Sequence, residues 1–383
     1  MRIAYVSLSS PFSQRSWSGI PWSTLQEIKR RFPDTHVIDT PKIDKIVQRL
    51  AAAERFNINV LRNAVLSRYF TKHINAQIQI IKPDVIVAVA AAHKIAYADI
   101  SVPLIYVSDA LYGNVVNYYE KYAENSLRWK NKGETLQKNL IKKVYKFMLS
   151  SQWAVDSAEK YYGINADRLI LAPMGANLSV VPPFVPSDMD RPLSLLFVGY
   201  HWLRKGGPLI VQIWQELRKR TGNAELHIVG AEPEDIAGTE GIFLHGKLNK
   251  ADPAEYERFQ QLYRDAHFFV MPSRQEAYGI AFCEAAAFGR PVVAADTGGV
   301  STIVKDDQSG LLFTLEATAQ DYADRIMALW SDPTAYQKMS YVARQRFEQV
   351  LNWQAWGQTL EETIVDVLNQ KHLSKEQGAS SIS

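Results

Sequence analysis

Short runs of β-branched and aliphatic residues alternate along this chain with segments of helical periodicity. Each short run between polar turns is typical of a strand, and the helical segment after it can return the chain over a sheet. This alternation is the pattern of parallel sheets built from β-α-β units. We therefore predict an α/β protein of two similar units in succession. The predicted strands cover residues 2–7, 36–39, 84–89, 104–107, 147–150 and 168–172, then 194–198, 225–229, 242–244, 268–271 and 291–294.

The length of 383 residues favours two domains, since a domain holds about 150 residues on average. Proline density rises and periodicity is lost at residues 173–177 and 181–186, which predicts a linker with a boundary near residues 180–190. The polar end of the sequence has almost no core-forming residues, so we expect it to be disordered. The predicted domains are residues 1–180 and 190–355, followed by a long helix over about 353–370 and a disordered tail at 372–383.

No stretch of the sequence approaches the roughly 18 to 20 consecutive apolar residues that a bilayer span requires. Even the apolar run at residues 85–92 ends at His93. The first residues become polar at Ser7, too early for the apolar core of a signal peptide. A single cysteine, Cys283, excludes an internal disulfide and a multi-cysteine zinc site. These features predict a cytoplasmic protein that is not integral to a membrane.

Charge is divided unevenly between the two halves of the chain. Residues 1–180 carry 24 Lys and Arg against 14 Asp and Glu, a net of +10, while residues 181–383 carry 19 against 26, a net of −7. The basic excess lies mainly in two segments, residues 41–82 and 114–148. Such segments are either solvated helix faces or a surface for an acidic partner. We expect no nucleic-acid partner.

The most informative segment follows the predicted strand at residues 268–271. Gly279 permits a tight turn from a short polar loop into an alanine-rich helix. The free N–H groups at the start of that helix form an anion site at the carboxyl end of a parallel strand, where α/β proteins bind ligands. Glu276 lies in the loop, and Glu284 lies about one helical turn further in, roughly 5 to 8 Å along the axis. Taken singly, each glutamate is equally explained as a helix cap or an exposed residue, but together they flank a site for a diphosphate.

The residues from 272 onward read Pro-Ser-Arg-Gln-Glu-Ala-Tyr-Gly. They resemble the Pro-Ser-Arg-x-Glu-x-(Phe/Tyr)-Gly-x-x-x-x-Glu-Ala segment of glycosyltransferase family 4, whose two glutamates have the spacing of Glu276 and Glu284. Further motifs resemble those of the family and follow in its order. They are the glycine loop at 17–22, the strand end at 150–153, the hinge at 173–177, the strand and loop at 196–207, and the glycine pair with its following strands at 296–304 and 309–313.

The resemblance implies the GT-B arrangement, in which two Rossmann-like domains face each other across a central cleft. A C-terminal helix, about residues 356–371, would cross back to the first domain. The implied reaction moves a sugar from a UDP- or GDP-linked donor to a hydroxyl group, with retention at the anomeric carbon and with neither metal nor cofactor. Its product would belong to cell-surface polysaccharide or glycolipid assembly. The first domain would hold a glycan or lipid-linked acceptor. Either this domain contacts the inner face of an anionic membrane, or it binds a soluble acidic acceptor.

The same resemblance implies roles for individual residues. Lys205, with Arg204 beside it, would contact the donor phosphates. Glu276 would hold hydroxyl groups of the donor sugar and Glu284 those of the ribose. Where many relatives have His-Asp, this chain has serine followed by Asp109, which would contact a sugar hydroxyl. The catalytic candidates are thus Asp109, Lys205 and Glu276, no metal ligands are assigned, and the donor-binding candidates are Gly19, Arg204, Lys205, Gly246, Lys247, Glu276, Gly279, Ile280, Ala281 and Glu284.

Two other interpretations are open. One is a different GT-B enzyme, such as a sugar phosphorylase or an epimerase. The other is a catalytically silent GT-B subunit that binds a glycan or a partner glycosyltransferase. An assay of nucleotide-sugar hydrolysis separates the silent subunit from an enzyme.

Overall fold

The computed structural model describes the backbone of residues 1–14, 16–51 and 63–380. The chain forms two compact units: residues 1–172 with the residues from Trp353 onward, and Pro173–Asn352. Each unit contains one six-stranded sheet in which neighbouring strands are parallel. The fold class is therefore α/β with two Rossmann-like units, as predicted. Residues 52–62 of the basic segment predicted at 41–82, and residues 381–383 of the predicted tail, lie outside the described residues.

The first unit alternates strands and helices along its described residues. Its elements up to Ala172 are β1 Ile3–Ser7, α1 Ile20–Arg31, β2 Thr35–Val37, α2 Pro41–Ala51, α3 Ala64–Ile81, β3 Val85–Val89, α4 Ala92–Ile95, β4 Leu104–Ser108, α5 Tyr112–Tyr118, α6 Leu127–Ile141, β5 Lys146–Leu149, α7 Gln152–Tyr162 and β6 Leu169–Leu171.

The strand order of the first sheet, β2-β1-β3-β4-β5-β6, places a topological switch between β1 and β3. Ile3 pairs with Val85 and Ser7 pairs with Val89, so the two strands end side by side. Every residue of β1 and β3 is buried, which is typical of parallel strands covered by helices on both faces. Ligands of such sheets bind outside the carboxyl ends of the strands at the switch.

The second unit repeats the alternation from Ser194 onward. Four of its strands, β7 to β10, have the bounds predicted from the sequence, and β11 is displaced by one residue. The strand β12 was not predicted from local patterns, but it lies in the segment 309–313 that resembles a strand segment of the family. The elements are β7 Ser194–Val198, α8 Gly207–Thr221, β8 Glu225–Val229, β9 Ile242–Leu244, α9 Pro253–Asp265, β10 Phe268–Met271, α10 Ile280–Ala287, β11 Val292–Ala295, α11 Val300–Ile303, β12 Gly310–Phe313, α12 Ala319–Trp330 and α13 Pro333–Gln349.

The second sheet has the order β12-β11-β10-β7-β8-β9. Counted from β7, this is the 3-2-1-4-5-6 order of dinucleotide-binding folds, with its switch between the first and fourth strands. All residues of β10 and β11 are buried, and each large apolar side chain so buried stabilises the fold by about 1.5 to 3 kcal/mol. The switch therefore borders a strand, β10, that is buried along its whole length.

The proline-rich segment before β7 is packed onto the second unit and does not form a free linker. Arg344 of α13 donates a hydrogen bond to the carbonyl oxygen of Pro182 (2.8 Å), and Arg290 donates one to the carbonyl oxygen of Val185 (2.6 Å). Prolines lack an N–H group, so accepting bonds at carbonyl oxygens is the main way such a segment can be held. The second unit begins at Pro173, earlier in the chain than the boundary expected from the sequence.

The last helix, α14 Trp353–Ser380, packs on α1 of the first unit. Arg31 of α1 joins them, because its Nε lies 2.7 Å from Glu27 of the same helix and its Nη1 lies 2.5 Å from Glu361 of α14. The helix continues past His372, where the sequence predicts the start of a disordered tail. Within the described residues, no helix is both long and apolar enough to cross a bilayer.

Candidate functional site

The switch point of the second sheet lies between β7 and β10. Leu195 pairs with Phe268 and Leu196 with Phe269, so the loops at residues 199–206 and 272–279 leave the sheet side by side. Ligands of doubly wound sheets bind at this position. Most of the predicted donor-binding residues lie in these two loops or in the first turn of α10: Arg204, Lys205, Glu276, Gly279, Ile280 and Ala281.

Gly206 lets the first loop pack directly against the second. Its φ is +79°, and a Cβ atom there would overlap the carbonyl group of Pro272, so both the backbone conformation and the available space require glycine. The N–H of Arg274 donates to the carbonyl oxygen of Arg204 (2.9 Å). In return, Nη1 of Arg204 donates to the carbonyl oxygen of Gln275 (2.7 Å). One backbone–backbone hydrogen bond and one bond from the Arg204 guanidinium therefore hold the two loops together.

Lys205 and Glu276 form an ion pair between these loops. Nζ of Lys205 donates to Oε2 of Glu276, and Nη1 of Arg204 lies 3.8 Å from the same oxygen. The side chains of Lys205 and Glu276 are only 14% and 9% exposed, so water screens the charges weakly. Burial lowers the pKa of Lys205, and the neighbouring carboxylate opposes that shift. Two cations around one carboxylate give the cluster a net positive charge, which suits an anionic phosphate group.

Gly279 ends the second loop and begins α10. Its φ is +99°, and a Cβ atom there would lie 2.5 Å from the ring of Phe282, so only glycine fits the turn. The loop is held from the other side by Gly299, whose N–H donates to the carbonyl oxygen of Glu276 (3.1 Å). The partial positive charge of the α10 N-terminus, at Ile280 and Ala281, is thereby directed at the carboxyl end of β10.

Glu284 lies one turn further along α10, with its side chain 4% exposed. Nζ of Lys250 lies 2.5 Å from its Oε1, and the hydroxyl of Tyr263 donates to its Oε2 (3.3 Å). Lys250 is not among the residues predicted from the sequence. It stands in the irregular segment between β9 and α9, which carries no recognisable motif, and only the folding of α9 against α10 brings it to the carboxylate.

Gly246 and Lys247 follow β9 and lie close to the first loop. The N–H of Gly230 donates to the carbonyl oxygen of Gly246 (2.7 Å). Nζ of Lys247 lies 6.0 Å from the ring centre of Tyr200, a cation–π distance. Both predicted residues are therefore neighbours of the loop that carries Lys205.

His245, just before Gly246, belongs to a row of polar groups. Nη2 of Arg258 donates to its Nδ1 (2.9 Å), because a guanidinium can only donate. Its Nε2 then carries the proton and donates to Nδ1 of His227 (3.0 Å), whose Nε2 lies 3.3 Å from Glu225. Burial, His227 and Arg258 lower the pKa of His245 to about 4. Near neutral pH the ring is therefore an uncharged, oriented group.

The remaining two predicted residues belong to the first unit. Gly19 has a φ of +81° and ends a left-handed run that includes Trp17 (+44°) and Ser18 (+54°), where side chains are rarely found. This strained turn follows β1, at the switch of the first sheet. Asp109 is half-buried directly after β4, and the preceding serine donates from its Oγ to the carbonyl oxygen of Ala110 (2.8 Å).

The sequence contains one Asp-x-Asp, at residues 188–190, which lies at the opposite edge of the second sheet. It precedes β7, and the carbonyl oxygen of Asp188 is 2.8 Å from Nε2 of His267, the residue before β10. These carboxylates are therefore at the amino ends of the two strands whose carboxyl ends carry Lys205 and Glu276.

Comparison with known proteins gives a consistent result. Residues 192–332 match the family described as glycosyl transferases group 1. A D-inositol 3-phosphate glycosyltransferase of Xylanimonas cellulosilytica is 30% identical over 181 residues, which are 43% of this chain and 43% of that protein. The chain spans about half the length of the curated relatives it matches.

Solved structures resemble nearly the whole chain. A sucrose-phosphate synthase from Thermosynechococcus elongatus has a TM-score of 0.70 at 15% identity, covering 97% of this chain and 100% of that one. The lipopolysaccharide outer core galactosyltransferase WaaB has a TM-score of 0.64 at 14% identity, covering 96% and 99%. At such identities the likeness establishes the fold. Residues 192–332 are therefore similar to the glycosyl transferases group 1, within a chain that has the GT-B fold of two Rossmann-like units.

Proposed function

We propose that this protein is a retaining glycosyltransferase that moves a sugar from a UDP- or GDP-linked donor to a hydroxyl group of an acceptor. The ion pair of Lys205 and Glu276 at the switch point of the second sheet carries this proposal. It brings together a cation that can bind a phosphate group and a carboxylate that can accept hydrogen bonds from hydroxyl groups. The pair lies at the position where doubly wound sheets bind nucleotides. The match of residues 192–332 to the glycosyl transferases group 1 supports the glycosyl-transfer part of the proposal.

Each charged residue takes a role in donor binding. Lys205 and Arg204 neutralise the charge that develops on the leaving phosphate, together with the N-terminus of α10. Glu276 accepts hydrogen bonds from the donor sugar, and these bonds replace part of its contact with Lys205. Glu284, held by Lys250 and the Tyr263 hydroxyl, accepts hydrogen bonds from the ribose hydroxyl groups.

The reaction retains the configuration of the anomeric carbon and takes place on one face of the sugar. The bond between the anomeric carbon and the phosphate oxygen breaks, and the acceptor oxygen bonds to the same carbon. The acceptor proton moves to the leaving phosphate oxygen, so no protein base is needed. The protein contributes orientation and electrostatic stabilisation, and the reaction uses neither a metal ion nor a cofactor.

The acceptor is an acidic glycan or a lipid-linked molecule held by the first unit, near Gly19 and Asp109. A phosphorylated acceptor is consistent with the name of the inositol phosphate relatives and with the net charge of +10 on residues 1–180.

On α2 and α3 the described cations are exposed, whereas Asp44 is buried. Exposed apolar side chains lie among them, which suits an anionic membrane surface at the inner face. These exposed residues are Lys42, Lys45, Ile46, Arg49, Val65, Arg68, Tyr69 and Lys72.

A panel of UDP- and GDP-sugars tests the donor assignment. A bound donor stabilises the folded protein increasingly as its concentration exceeds its Kd, so one nucleotide should raise the melting temperature in a concentration-dependent way. That sugar nucleotide should then be hydrolysed slowly by the purified protein, with the same rate in EDTA. Binding without hydrolysis or transfer would indicate the silent subunit. Loss of activity in EDTA, restored by Mg²⁺ or Mn²⁺, would overturn the metal-free mechanism.

Co-sedimentation with vesicles tests the membrane contact. We expect binding to anionic vesicles, none to neutral vesicles, and release at high salt, because screening shortens the reach of the charges. Absence of binding to anionic vesicles at low salt would leave a soluble acidic acceptor as the substrate.

A further inference from the structure

We propose that Lys250 is a positioning residue that couples nucleotide binding to the rigidity of residues 173–179. These residues, the crossing segment, are the first of the second unit after the chain leaves the first unit. The inference rests on the proposed function, because it takes Glu284 as the carboxylate that binds the ribose.

The ammonium group of Lys250 has three different partners. Its Nζ lies 2.5 Å from Oε1 of Glu284, 3.4 Å from the carbonyl oxygen of Asn177, and 4.2 Å from the centre of the Phe259 ring. An ammonium carries three N–H donors, and here a carboxylate, a carbonyl group and an aromatic face receive them. The contact with Glu284 is short and the contact with Asn177 is long, so the cation is shared unequally.

The crossing segment touches the donor site at a second position. The hydroxyl of Tyr278, in the loop of Glu276, donates to the carbonyl oxygen of Met174 (2.7 Å). The thiol of Cys283, in the same helix as Glu284, lies 3.6 Å from that oxygen. The crossing segment therefore contacts both the loop that carries Glu276 and the helix that carries Glu284.

Nucleotide binding should redistribute the bonds of Lys250. Ribose hydroxyl groups that donate to Glu284 share its lone pairs with Lys250 and weaken that ion pair. The ammonium is then drawn towards the carbonyl oxygen of Asn177, and the 3.4 Å contact shortens. The crossing segment becomes more rigid when the site is occupied, and by linkage a rigid segment favours nucleotide binding. A lysine with only a structural role would hold the segment equally in both states.

Hydrogen exchange of a peptide covering residues 173–180 tests this coupling. Exchange is measured without nucleotide and at saturating UDP or GDP, whichever calorimetry shows to bind. In the wild type we expect nucleotide to slow exchange by about fivefold or more, the usual lower range of coupling between sites. In Lys250→Met, which keeps the side-chain stem over Phe259 but lacks the charge, the slowing should disappear and nucleotide affinity should fall. Lys250→Arg should restore part of both effects.

Two control variants separate coupling from general loosening. Tyr256→Phe removes a hydroxyl that accepts from the N–H of Ser179 (2.9 Å). It should raise exchange without nucleotide and preserve the slowing with nucleotide. Lys219→Met alters an exposed lysine of α8 that pairs with Glu216, and it should behave as the wild type.

The outcomes distinguish this inference from the proposed function. Equal exchange with and without bound nucleotide in the wild type overturns the coupling and leaves the glycosyltransferase proposal intact, whether or not the variants fold. Equal slowing in the wild type and Lys250→Met overturns the role of Lys250. A wild type that binds neither nucleotide overturns both proposals.

Discussion

Each of the two parallel sheets has a switch point beside its first strand, and the two switch points differ in chemistry. In the second unit, the loops after β7 and β10 join Lys205 to Glu276 in a largely buried ion pair. In the first unit, the loop after β1 contains a left-handed turn at Gly19 and neutral hydroxyl groups, among them Ser9 and Ser16, which are hydrogen-bonded to each other. A parallel sheet thus provides the position of a site, and its loops decide which ligand the site can hold.

The first unit also has a buried ion pair, but at a different position. Nζ of Lys94 in α4 lies 2.9 Å from Oδ2 of Asp44 in α2, and Lys94 is 1% exposed. The hydroxyl of Thr40 donates to the same carboxylate (3.1 Å). Burial raises the pKa of Asp44 and lowers that of Lys94, so each group is shifted towards its neutral form. We interpret this pair as structural and the pair of Lys205 and Glu276 as functional.

The largest expected effect is on catalysis in Glu276→Gln. The amide cannot accept the hydrogen bonds of the donor sugar as a carboxylate does, so transfer should be almost abolished while nucleotide affinity stays close to the wild-type value. Steady-state kinetics and calorimetry measure the two quantities. Glu240→Gln, at an exposed glutamate that pairs with Arg218, is the matched control. A Glu276→Gln variant that retains more than about a tenth of kcat/KM, a loss below about 1.4 kcal/mol, would remove this residue from the site.

Lys94→Met should have the largest effect on stability. It leaves the carboxylate of Asp44 buried without its cation, which typically costs about 3 kcal/mol of unfolding free energy. Urea denaturation measures the loss, and the double variant with Asp44→Leu should recover part of it. Nucleotide affinity should be unchanged in both variants. A marked loss of nucleotide affinity at unchanged stability would contradict the interpretation of the Lys94–Asp44 pair as structural.

Lys205→Met should weaken diphosphate nucleotides by about tenfold or more, because hydrogen bonds to charged groups contribute about 1.5 to 3 kcal/mol. The corresponding monophosphate should lose less, since it lacks the distal phosphate that we propose the ammonium contacts. Calorimetric titration of UDP and UMP, or GDP and GMP, gives the difference. Equal losses for both nucleotides would make this ion pair structural, like that of Lys94.

The smallest expected effect is a pH dependence that arises beside the site of the second unit. His245 has its pKa lowered to about 4 in the folded chain from an ordinary value of 6.5. Between these values the unfolded chain binds more protons, so the free energy of unfolding should fall as pH falls from 6.5 to 4. Urea denaturation across this range should show a smaller decrease in His245→Gln. An unchanged decrease would assign the effect to other groups, such as His227.

The strands show how far local sequence patterns predict this fold. The runs at β7, β8, β9 and β10 are short, apolar and bounded by turn residues, and their predicted and observed bounds agree. The strand β12, Gly310–Phe313, was absent from the strands predicted from local patterns, and only the family resemblance of residues 309–313 indicated it. Its place in the sheet depends on pairing with β11, and pairing of distant strands leaves no periodicity in the sequence.

The proline-rich segment before β7 shows where composition is insufficient. Its prolines and missing periodicity indicate a linker, yet Arg290 and Arg344 bind its carbonyl groups from far along the chain. Cations that satisfy carbonyl oxygens lie more than a hundred residues away, so no local pattern could predict them. The boundary between the units accordingly differs from the predicted one.

The sequence by itself determined the α/β class, the succession of two units and the local motif that places Glu276, Gly279 and Glu284 around the start of a helix. These features depend on periodicity and on backbone conformations that neighbouring residues dictate. Only the tertiary structure decided which charges meet: Lys205 with Glu276, and Lys250 with Glu284. An ion pair forms where folding removes two distant groups from water together, and that proximity is a property of the packed sheet and helices.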